Sequence, residues 1–418
     1  MPSSSTVEKV FSFSEARHIV EQHAAQMRPS GRELVELLDG VGLVLAEAVF
    51  ADRNQPPFPR ATRDGYAVRS VDLVQLPATL RVIGEIKAGA NSTLSLETGT
   101  AAAIMTGAPV PSTADAVVMV EYTSRDGDSV EITKTAAARE NIVPAGSEAK
   151  RGERLLSPGT RLDHAAIAVA ASVGKSHLVV HSKPRVAVLA TGDELVDVDV
   201  PPAPSQIRNS NTYSLAAQIL AAGGEPVLLP IAPDVRERLR ELIAEGLEAD
   251  LLLLAGGVSM GKYDLVEQVL AEFDAEFFFT GAKIQPGKPI VFGRAFYGGG
   301  ATDHDQKKYL FGLPGNPVST MVTFELFVRP CVEALCGMLP RKLVFLHAKL
   351  KSEIKTKTGL TRFLPASLSG EFQAAEVELV SWQGSGDIAA TARANCYVVV
   401  PPDREKIEAG EWVPILKR

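Results

Sequence analysis

The segment Leu251-Leu252-Leu253-Leu254-Ala255-Gly256-Gly257-Val258-Ser259-Met260-Gly261-Lys262-Tyr263-Asp264 decides the fold of this chain. Its first five residues form an uninterrupted apolar run, which is typical of a strand buried on both faces of a parallel sheet. The glycines that follow allow backbone N–H groups to approach a ligand closely, which favours a phosphate or another oxyanion. The carboxylate of Asp264 beside such an anion indicates a bridging divalent cation. Taken alone, the loop fits a glycine-rich turn with a solvated aspartate equally well.

The composition is that of a multidomain globular protein. The chain has 418 residues, of which 45% are hydrophobic and 22% charged, and this length predicts roughly three or four domains. A net charge of −7 argues against general binding to nucleic acids or to anionic membranes. We find neither a secretory signal pattern nor an apolar run of membrane-spanning length, so we expect a cytoplasmic protein. The three cysteines show no metal-binding spacing, and we expect buried, reduced thiols.

The pattern of helices and strands changes along the chain and predicts four domains. Strand–helix alternation over residues 183–338 predicts a central doubly wound α/β domain with a parallel sheet. Short β-rich pieces between Pro and Gly turns predict a β domain at residues 50–143. This domain is inserted into a mixed helical N-terminal domain, residues 7–49 plus 144–182. Residues 339–418 predict a small C-terminal β domain.

Several local patterns predict individual elements. Ser12 and Glu15 form a capping box, which predicts a helix running toward Met27. Residues 34–49 predict a strand, a turn and a second helix packed against the first. A long helix is expected from Pro317 to Leu335, and a surface hairpin tip at residues 298–308.

Three loops at the expected carboxyl ends of strands carry the features of a ligand site. Ligands of open α/β sheets bind at this edge. Asp193 and Glu194 follow the first strand, and the glycine loop follows the second. In the third loop Asn316 is suited to cap a helix with Pro317 at its first position, which leaves a helix N-terminus to attract an anion. Three such loops on one edge predict a binding site.

Other polar residues have a structural explanation that is at least as good when each is judged alone. Asp234 begins a predicted helix and fits a simple N-cap. Lys288 lies between two prolines on a rigid turn suited to an oxyanion, although a lone lysine is more often solvated. Asp64, Thr106 and the loop with Ser385 occur in turns.

In combination and in this order, these segments resemble the molybdopterin molybdenumtransferase family, which includes MoeA and the gephyrin E domain. The resemblance rests on DGYAV at 64–68, IMTGAPVP at 104–111, TGDEL at 191–195, GGVSMG at 256–261 with Asp264, PGKP at 286–289, GLPGNPVS at 312–319 and QGS at 383–385. It implies an elongated, four-domain homodimer with a MogA-like, molybdopterin-binding α/β domain. Its cleft would form between that domain of one subunit and the β domain carrying DGYA of the other. The implied reaction joins molybdate to adenylylated molybdopterin and releases AMP, and the implied partners are an adenylyltransferase and molybdoenzymes.

The resemblance also implies roles for single residues. A cluster of carboxylates would repel a polyanionic substrate unless it held a divalent cation, so Mg²⁺ is the expected metal. The implied catalytic residues are Asp64, Thr106, Glu194, Asp234 and Asp264, and the implied metal ligands among them are Glu194, Asp234 and Asp264. The implied substrate-binding residues are Asp193, Gly256, Gly257, Ser259, Gly261, Lys288, Pro289, Ser319, Ser385 and Arg362. Of these, Lys288, Ser319 and Ser385 resemble the molybdate pocket.

The chain departs from the family at two basic positions. Gln285 stands where the family often has lysine, and Pro365 stands where an arginine is expected. We hypothesise that Arg362 partly compensates for the lost positive charge. Two alternatives to the transferase remain open. One is a molybdopterin adenylyltransferase, against which the additional domains argue. The other is a non-catalytic scaffold that binds molybdopterin.

Overall fold

The computed structural model describes residues 9–90, 93–257, 265–296 and 307–418. The first described elements are β1 (Val10–Phe11) and α1 (Phe13–Ala24). The predicted capping box is confirmed, because the Glu15 amide donates to the Ser12 hydroxyl and the Ser12 amide donates to the Glu15 carboxylate. The buried side chains of α1, including Val20, belong to one apolar core with the α/β domain. Helix α1 therefore packs on the α/β domain.

The following segment contains β2 (Arg32–Glu36) and β3 (Val49–Phe50). The helix predicted before Val49 is wrong, because residues 41–48 form turns and isolated bridges instead. Their backbone bonds go to a distant segment: the Gly42 amide donates to the Leu162 carbonyl over 2.8 Å, and the Leu45 amide donates to Thr160 over 2.9 Å. Long-range pairing replaces the local helix here.

Residues 60–143 form the inserted β domain. Its strands are β4 (Arg60–Ala61), β5 (Gly65–Val68), β6 (Ala78–Ile86), β7 (Thr100–Ile104), β8 (Ala116–Met119), β9 (Thr123–Asp126), β10 (Ser129–Ile132) and β11 (Ile142–Val143), with 3₁₀ turns at Ser70–Leu73 and Val120–Tyr122. Six strands form one sheet in the order β8-β5-β7-β6-β10-β9, and β4 pairs with β11 where the chain enters and leaves. Alternating side chains form two apolar clusters, one containing Tyr66 and the other Ala67.

The chain then returns to the N-terminal part through β12 (Arg154–Leu156), α2 (His164–Ser172) and β13 (His177–His181). Strand β12 pairs with β3, and β13 pairs with β2. Asp163 caps α2, because its Oδ1 accepts a hydrogen bond from the Ala166 amide at 2.9 Å. The apolar cluster around Leu45 and Leu178 therefore joins segments from both sides of the insertion.

The central domain is built around a six-stranded sheet. The described strands of the domain, of which six form this sheet, are β14 (Arg185–Ala190), β15 (Leu195–Val196), β16 (Ile207–Arg208), β17 (Glu225–Leu228), β18 (Leu251–Ala255), β19 (Glu276–Phe279), β20 (Gly281–Ala282), β21 (Ile284–Gln285), β22 (Val291–Phe296) and β23 (Lys307–Leu313). Its helices are α3 (Ser210–Ala222), α4 (Arg236–Gly246), α5 (Leu265–Ala271), α6 (Pro317–Thr323) and α7 (Arg329–Leu335). The sheet order is β17-β14-β18-β23-β22-β19, with β18 buried along its whole length. The predicted α/β fold is confirmed.

Two features of this domain differ from the prediction. Strands β17, β14, β18 and β23 are parallel, but two antiparallel pairings extend one edge of the sheet, because β22 pairs antiparallel with β23 and β19 pairs antiparallel with β22. The long helix expected from Pro317 contains a π-helical turn, Phe324–Val328, between α6 and α7. Pro317 occupies the first turn of α6 as predicted, and Asn316 is at the N-cap position, but the Asn316 side chain makes no capping hydrogen bond within the described part of the chain. Most of the hairpin tip predicted at residues 298–308 lies outside the described residues, which resume at Lys307, the first residue of β23.

The C-terminal domain is a small closed barrel. It contains β24 (Leu346–Leu350), β25 (Ile354–Lys355), β26 (Thr361–Ser369), β27 (Glu376–Leu379), α8 (Ile388–Arg393), β28 (Cys396–Val400), β29 (Lys406–Ile407) and β30 (Trp412–Lys417), with a 3₁₀ turn at Phe372–Ala374. The order β26-β27-β24-β30-β28 closes because β28 also pairs with β26. Strand β21 of the central domain pairs in parallel with β26. This pairing connects the two domains beside the candidate site. Among the helices described, none is both long and apolar enough to cross a membrane.

Candidate active site

The carboxyl ends of β14, β18 and β23 bring three loops into direct contact. The Thr191 amide donates to the Ala255 carbonyl over 3.2 Å, and the Gly256 amide donates to the Leu313 carbonyl over 3.1 Å. A Cβ placed on Gly315 would lie 3.7 Å from the Gly256 Cα. The three loops predicted to line one edge of the sheet therefore touch one another.

The two glycines after β18 are required by this close approach. Gly256 and Gly257 have φ of +93° and +62°, which is a left-handed backbone region that L side chains rarely adopt. A Cβ on Gly257 would lie 2.5 Å from the Thr191 hydroxyl oxygen, and one on Gly256 would lie 2.9 Å from the Thr191 carbonyl oxygen. The glycines thus allow the two loops to pack closely. Because the N–H of Gly256 donates to the Leu313 carbonyl, this group is not free to bind a ligand. The rest of the predicted cradle, including Ser259, Gly261 and Asp264, lies outside the described residues.

Three carboxylates crowd at the ends of β14 and β17. The Asp234 amide donates to Oδ1 of Asp193 over 3.1 Å, and the Glu194 side chain folds over Gly192, where a Cβ would meet its Oε2 at 2.5 Å. Desolvation and the negative charges of Asp193 and Glu194 raise the pKa of Asp234. Helix α4 has Val235 at its N-cap position, so Asp234 is not the cap that its sequence context allows.

The predicted metal ligands are only partly described. Within residues 9–90, 93–257, 265–296 and 307–418, no group of three or more His, Cys, Asp or Glu side chains is arranged to hold a metal ion. The third predicted ligand, Asp264, lies outside these ranges. Glu194 and Asp234 supply hard carboxylate oxygens, and desolvation together with the nearby negative charges of Asp193 and Glu194 raises the pKa of Asp234. Their donor chemistry therefore fits Mg²⁺.

Asp64 and Thr106 form a second polar pair, in the inserted domain. The antiparallel register of β5 and β7 sets Gly65 opposite Ile104, which brings the residues flanking these strands together. The Thr106 amide donates to Oδ1 of Asp64 over 2.8 Å, and the Thr106 hydroxyl donates to the same oxygen over 3.1 Å. Both residues are exposed. Thr106 therefore orients a solvent-facing carboxylate.

A cavity of about 360 Å³ lies between the central domain and the barrel. It brings together four residues predicted from separate segments: Lys288, Pro289, Ser319 and Ser385. The remaining lining residues are Ile284, Gln285, Pro286, Gly287, Asn316, Leu360, Trp382 and Gly384. The Val318 amide donates to the Ser385 carbonyl over 3.0 Å and so connects the first turn of α6 with the barrel loop.

Arg362 lies close to this cavity without lining it in the described part of the chain. It is opposite Gln285 in the β21–β26 pairing, and its side chain is largely buried. Its Nη1 donates to the Leu360 carbonyl over 3.2 Å, and desolvation lowers its pKa. The hypothesis that it compensates for lost positive charge stays a prediction.

Several residues of these sites could not be identified from sequence patterns alone. Asn211, in α3, donates from Nδ2 to the Gly315 carbonyl over 2.8 Å and thus supports the third loop. The Thr191 hydroxyl is buried and has no hydrogen-bond partner among the described residues. Trp382 and Leu360 enter the cavity from the barrel. The nearest to a sequence signal is at Trp382, one of two tryptophans in the chain and the residue directly before the QGS segment, but this position alone does not assign it to a cavity.

The three cysteines lie away from these sites. Cys331, Cys336 and Cys396 are buried and free, as predicted. Burial raises the pKa of Cys336 to about 12 and that of Cys396 to about 11, and it raises the pKa of Cys331 as well. All three are therefore protonated thiols at neutral pH.

Known families and relatives match this chain over nearly its whole length. The MoeA N-terminal region (domain I and II) matches residues 11–174, a probable molybdopterin binding domain matches residues 187–334, and the MoeA C-terminal region (domain IV) matches residues 347–417. The molybdopterin molybdenumtransferase of Nostoc sp. (strain PCC 7120) is 34% identical over 397 residues, which cover 92% of this chain and 88% of the relative. The chain belongs to the molybdopterin molybdenumtransferase family. It is therefore a transferase of molybdenum cofactor biosynthesis.

Other members of the family support the same assignment. The molybdopterin molybdenumtransferase of Staphylococcus aureus (strain COL) is 35% identical over 387 residues, covering 91% of this chain and 90% of the relative. The crystal structure of the molybdopterin biosynthesis protein MoeA from Pyrococcus horikoshii OT3 aligns with a TM-score of 0.78 and 29% identity. It covers 98% of this chain and 100% of its own. The predicted family and the predicted fold class are both confirmed.

Proposed function

We propose that this transferase inserts molybdate into adenylylated molybdopterin, releases AMP and depends on Mg²⁺. The observation that carries the proposal is the crowding of Asp193, Glu194 and Asp234 at the carboxyl ends of the sheet strands, where desolvation and the two neighbouring negative charges raise the pKa of Asp234. Such crowding next to the binding site of a polyanionic substrate is unfavourable unless a cation offsets it. The resemblance of the whole chain to the family supports the identity of the substrates.

The proposed metal ligands are Glu194, Asp234 and Asp264. When bound, Mg²⁺ supplies positive charge that stabilises the phosphate oxygens of the departing nucleotide. The Asp193 carboxylate accepts the backbone amide of Asp234 and so holds that backbone in place, and Thr106 holds the carboxylate of Asp64 in one orientation. These contacts fix the acids before the substrate arrives, which lowers the reorganisation needed during the reaction.

The proposed site for molybdate is the cavity between the central domain and the barrel. Lys288 supplies a positive charge, and the hydroxyls of Ser319 and Ser385 supply hydrogen-bond donors. One positive charge combined with neutral hydrogen-bond donors suits a small tetrahedral oxyanion. Such a site binds the oxyanion weakly enough for it to leave the site readily. We also propose a homodimer, which light scattering of the purified protein would test directly.

The decisive experiment measures AMP release from adenylylated molybdopterin by the purified protein. We expect release that requires both molybdate and Mg²⁺, and that is lost in Asp234→Asn. A matched control is Asp199→Asn, which removes an exposed carboxylate from the loop between β15 and β16. Absence of release from the folded wild-type protein would contradict the proposal. Formation of adenylylated molybdopterin from ATP and molybdopterin would instead support the adenylyltransferase alternative.

A further inference from the structure

The residues that line the cavity described above are of two chemical kinds. Lys288, Ser319 and Ser385 are polar, as are Gln285 and Asn316, whereas Trp382, Leu360 and Pro286 are apolar. Its volume of about 360 Å³ falls within the range of roughly 300–1,000 Å³ that is typical of sites for small organic molecules. A tetrahedral oxyanion fills only part of such a volume and bonds to the polar groups alone. The remaining volume and the apolar lining residues can accept a second, apolar ligand group.

Trp382 is the largest apolar side chain among the lining residues. It packs against the apolar core of the central domain and also against that of the barrel. The next residue, Gln383, donates its amide to Oδ2 of Asp387 over 3.1 Å, which holds the backbone beside the indole. A large aromatic side chain in a fixed position loses little entropy when a flat ring stacks on it.

We propose that Trp382 forms a stacking subsite for the pterin ring of the substrate, with molybdate held by the polar groups that line the same cavity. A pterin is a flat, fused heteroaromatic ring, and stacking of such rings on aromatic side chains tolerates varied ring substituents. The two ligand groups then lie side by side in one cavity. This inference rests on the proposed function, because that proposal supplies the pterin-bearing substrate.

The test measures binding of 6-hydroxymethylpterin, which lacks phosphate, and of molybdate, each alone, by equilibrium dialysis. Trp382→Leu removes the ring but retains apolar volume, and Trp382→Phe retains a ring. We expect the Leu variant to raise the Kd for the pterin by roughly 5- to 150-fold and to leave the Kd for molybdate within about twofold. The Phe variant should retain most of the pterin affinity.

The second tryptophan provides a matched control. Trp412 lies on the barrel surface, 54% exposed, with the Lys349 ammonium 5.7 Å from its ring centroid. Trp412→Leu should leave pterin binding unchanged. Wild-type affinity in Trp382→Leu, or no saturable pterin binding by the wild-type protein, would overturn the subsite. Equal weakening of pterin and molybdate binding in both Trp382 variants would also overturn it, because it would show that the residue only supports the loop.

The results also separate the subsite from the proposed function. Pterin binding that depends on Trp382, in a protein that releases no AMP, would retain the subsite and reject the reaction. Molybdate-dependent AMP release with unchanged pterin binding in Trp382→Leu would retain the reaction and reject the subsite.

Discussion

Asp387 accepts the amide of Gln383 on Oδ2 at 3.1 Å, and its Oδ1 accepts the Ala390 amide at 2.9 Å at the start of α8. One carboxylate therefore fixes both ends of the short loop that carries Ser385 into the cavity. The Ser385 carbonyl in turn accepts the Val318 amide at 3.0 Å. The barrel wall of the cavity depends on a residue that does not line it.

We therefore predict that Asp387→Ala raises the KM for molybdate with little change in kcat. Displacement of a binding group by about 1 Å lowers kcat/KM by up to roughly 100-fold. Asp387→Asn should recover part of the loss, because one amide oxygen can still accept a hydrogen bond. Steady-state AMP release at varied molybdate concentration measures the effect.

The control for this prediction is Asp163→Ala. Asp163 caps α2 through the Ala166 amide at the same distance of 2.9 Å, but it is in the N-terminal domain. Its loss should lower thermal stability to a similar extent and leave the KM for molybdate unchanged. A similar rise of KM in both variants would show a general effect of lost capping.

We predict that the carboxylate cluster destabilises the metal-free protein as the pH rises. The folded protein raises the pKa of Asp234 above its ordinary value of 3.8. The folded state thus binds this proton more tightly than the unfolded state. The free energy of unfolding therefore falls as the pH rises from about that value through the raised pKa. Asp234→Asn should be more stable than the wild type at pH 7 in EDTA.

Thermal unfolding between pH 4 and pH 7 measures this difference, which should shrink toward the acid end. Addition of Mg²⁺ at pH 7 should raise the midpoint of the wild-type protein more than that of Asp234→Asn. Asp199→Asn serves as the control for loss of one negative charge. The same pH dependence in all three proteins would refute uncompensated repulsion at Asp234.

Replacement of Gly257 should disturb the contact between two strand-end loops. Gly257→Ala combines a left-handed backbone with a Cβ 2.5 Å from the Thr191 hydroxyl oxygen, and we expect a loss of about 2–4 kcal/mol in the free energy of unfolding. Gly174→Ala is the control, because Gly174 has φ of +79° but no atom within 4 Å of the added Cβ. We expect about 1 kcal/mol there. Equal losses in urea unfolding would show that the contact with Thr191 adds nothing.

Thr106→Val should test whether the orientation of Asp64 matters for the reaction. The substitution removes the hydroxyl donor at 3.1 Å and retains the backbone amide at 2.8 Å. Loss of a hydrogen bond to a charged group predicts a decrease in kcat/KM of roughly tenfold or more. Thr133→Val removes a hydroxyl that donates to the Tyr122 carbonyl in the same domain, and it should have no effect on activity. An unchanged kcat/KM in Thr106→Val would remove Thr106 from the site.

The elements predicted correctly are those whose signals are local. Ser12 and Glu15 are three residues apart, so their capping box is visible in the sequence. The buried β18 is likewise a continuous apolar run. The helix expected before Val49 failed because Gly42 and Leu45 find their hydrogen-bond partners more than a hundred residues away. Patterns within a short window contain no information about such partners.

In the candidate site, too, the features with local sequence signals were predicted and those that depend on distant pairing were not. Asp193, Glu194 and Asp234 follow strands, so strand order alone brings them to one edge. The cavity needs β21 to pair with β26 across two domains, and no local pattern encodes that pairing. The resemblance to a family supplied Lys288, Ser319 and Ser385 together. Trp382 stands just outside the motifs that carry this resemblance and was therefore missed.

The burial of the cysteines has a consequence for metal traffic. Thiolates are strong ligands for many transition metals, and a carrier that exposes them retains its cargo. All three cysteines of this chain are buried, and burial raises the pKa of each thiol. Under the proposed function, molybdenum in the cavity would meet oxygen and nitrogen groups of the lining residues and no thiolate. The protein's own thiols would then not compete with the cofactor for the metal.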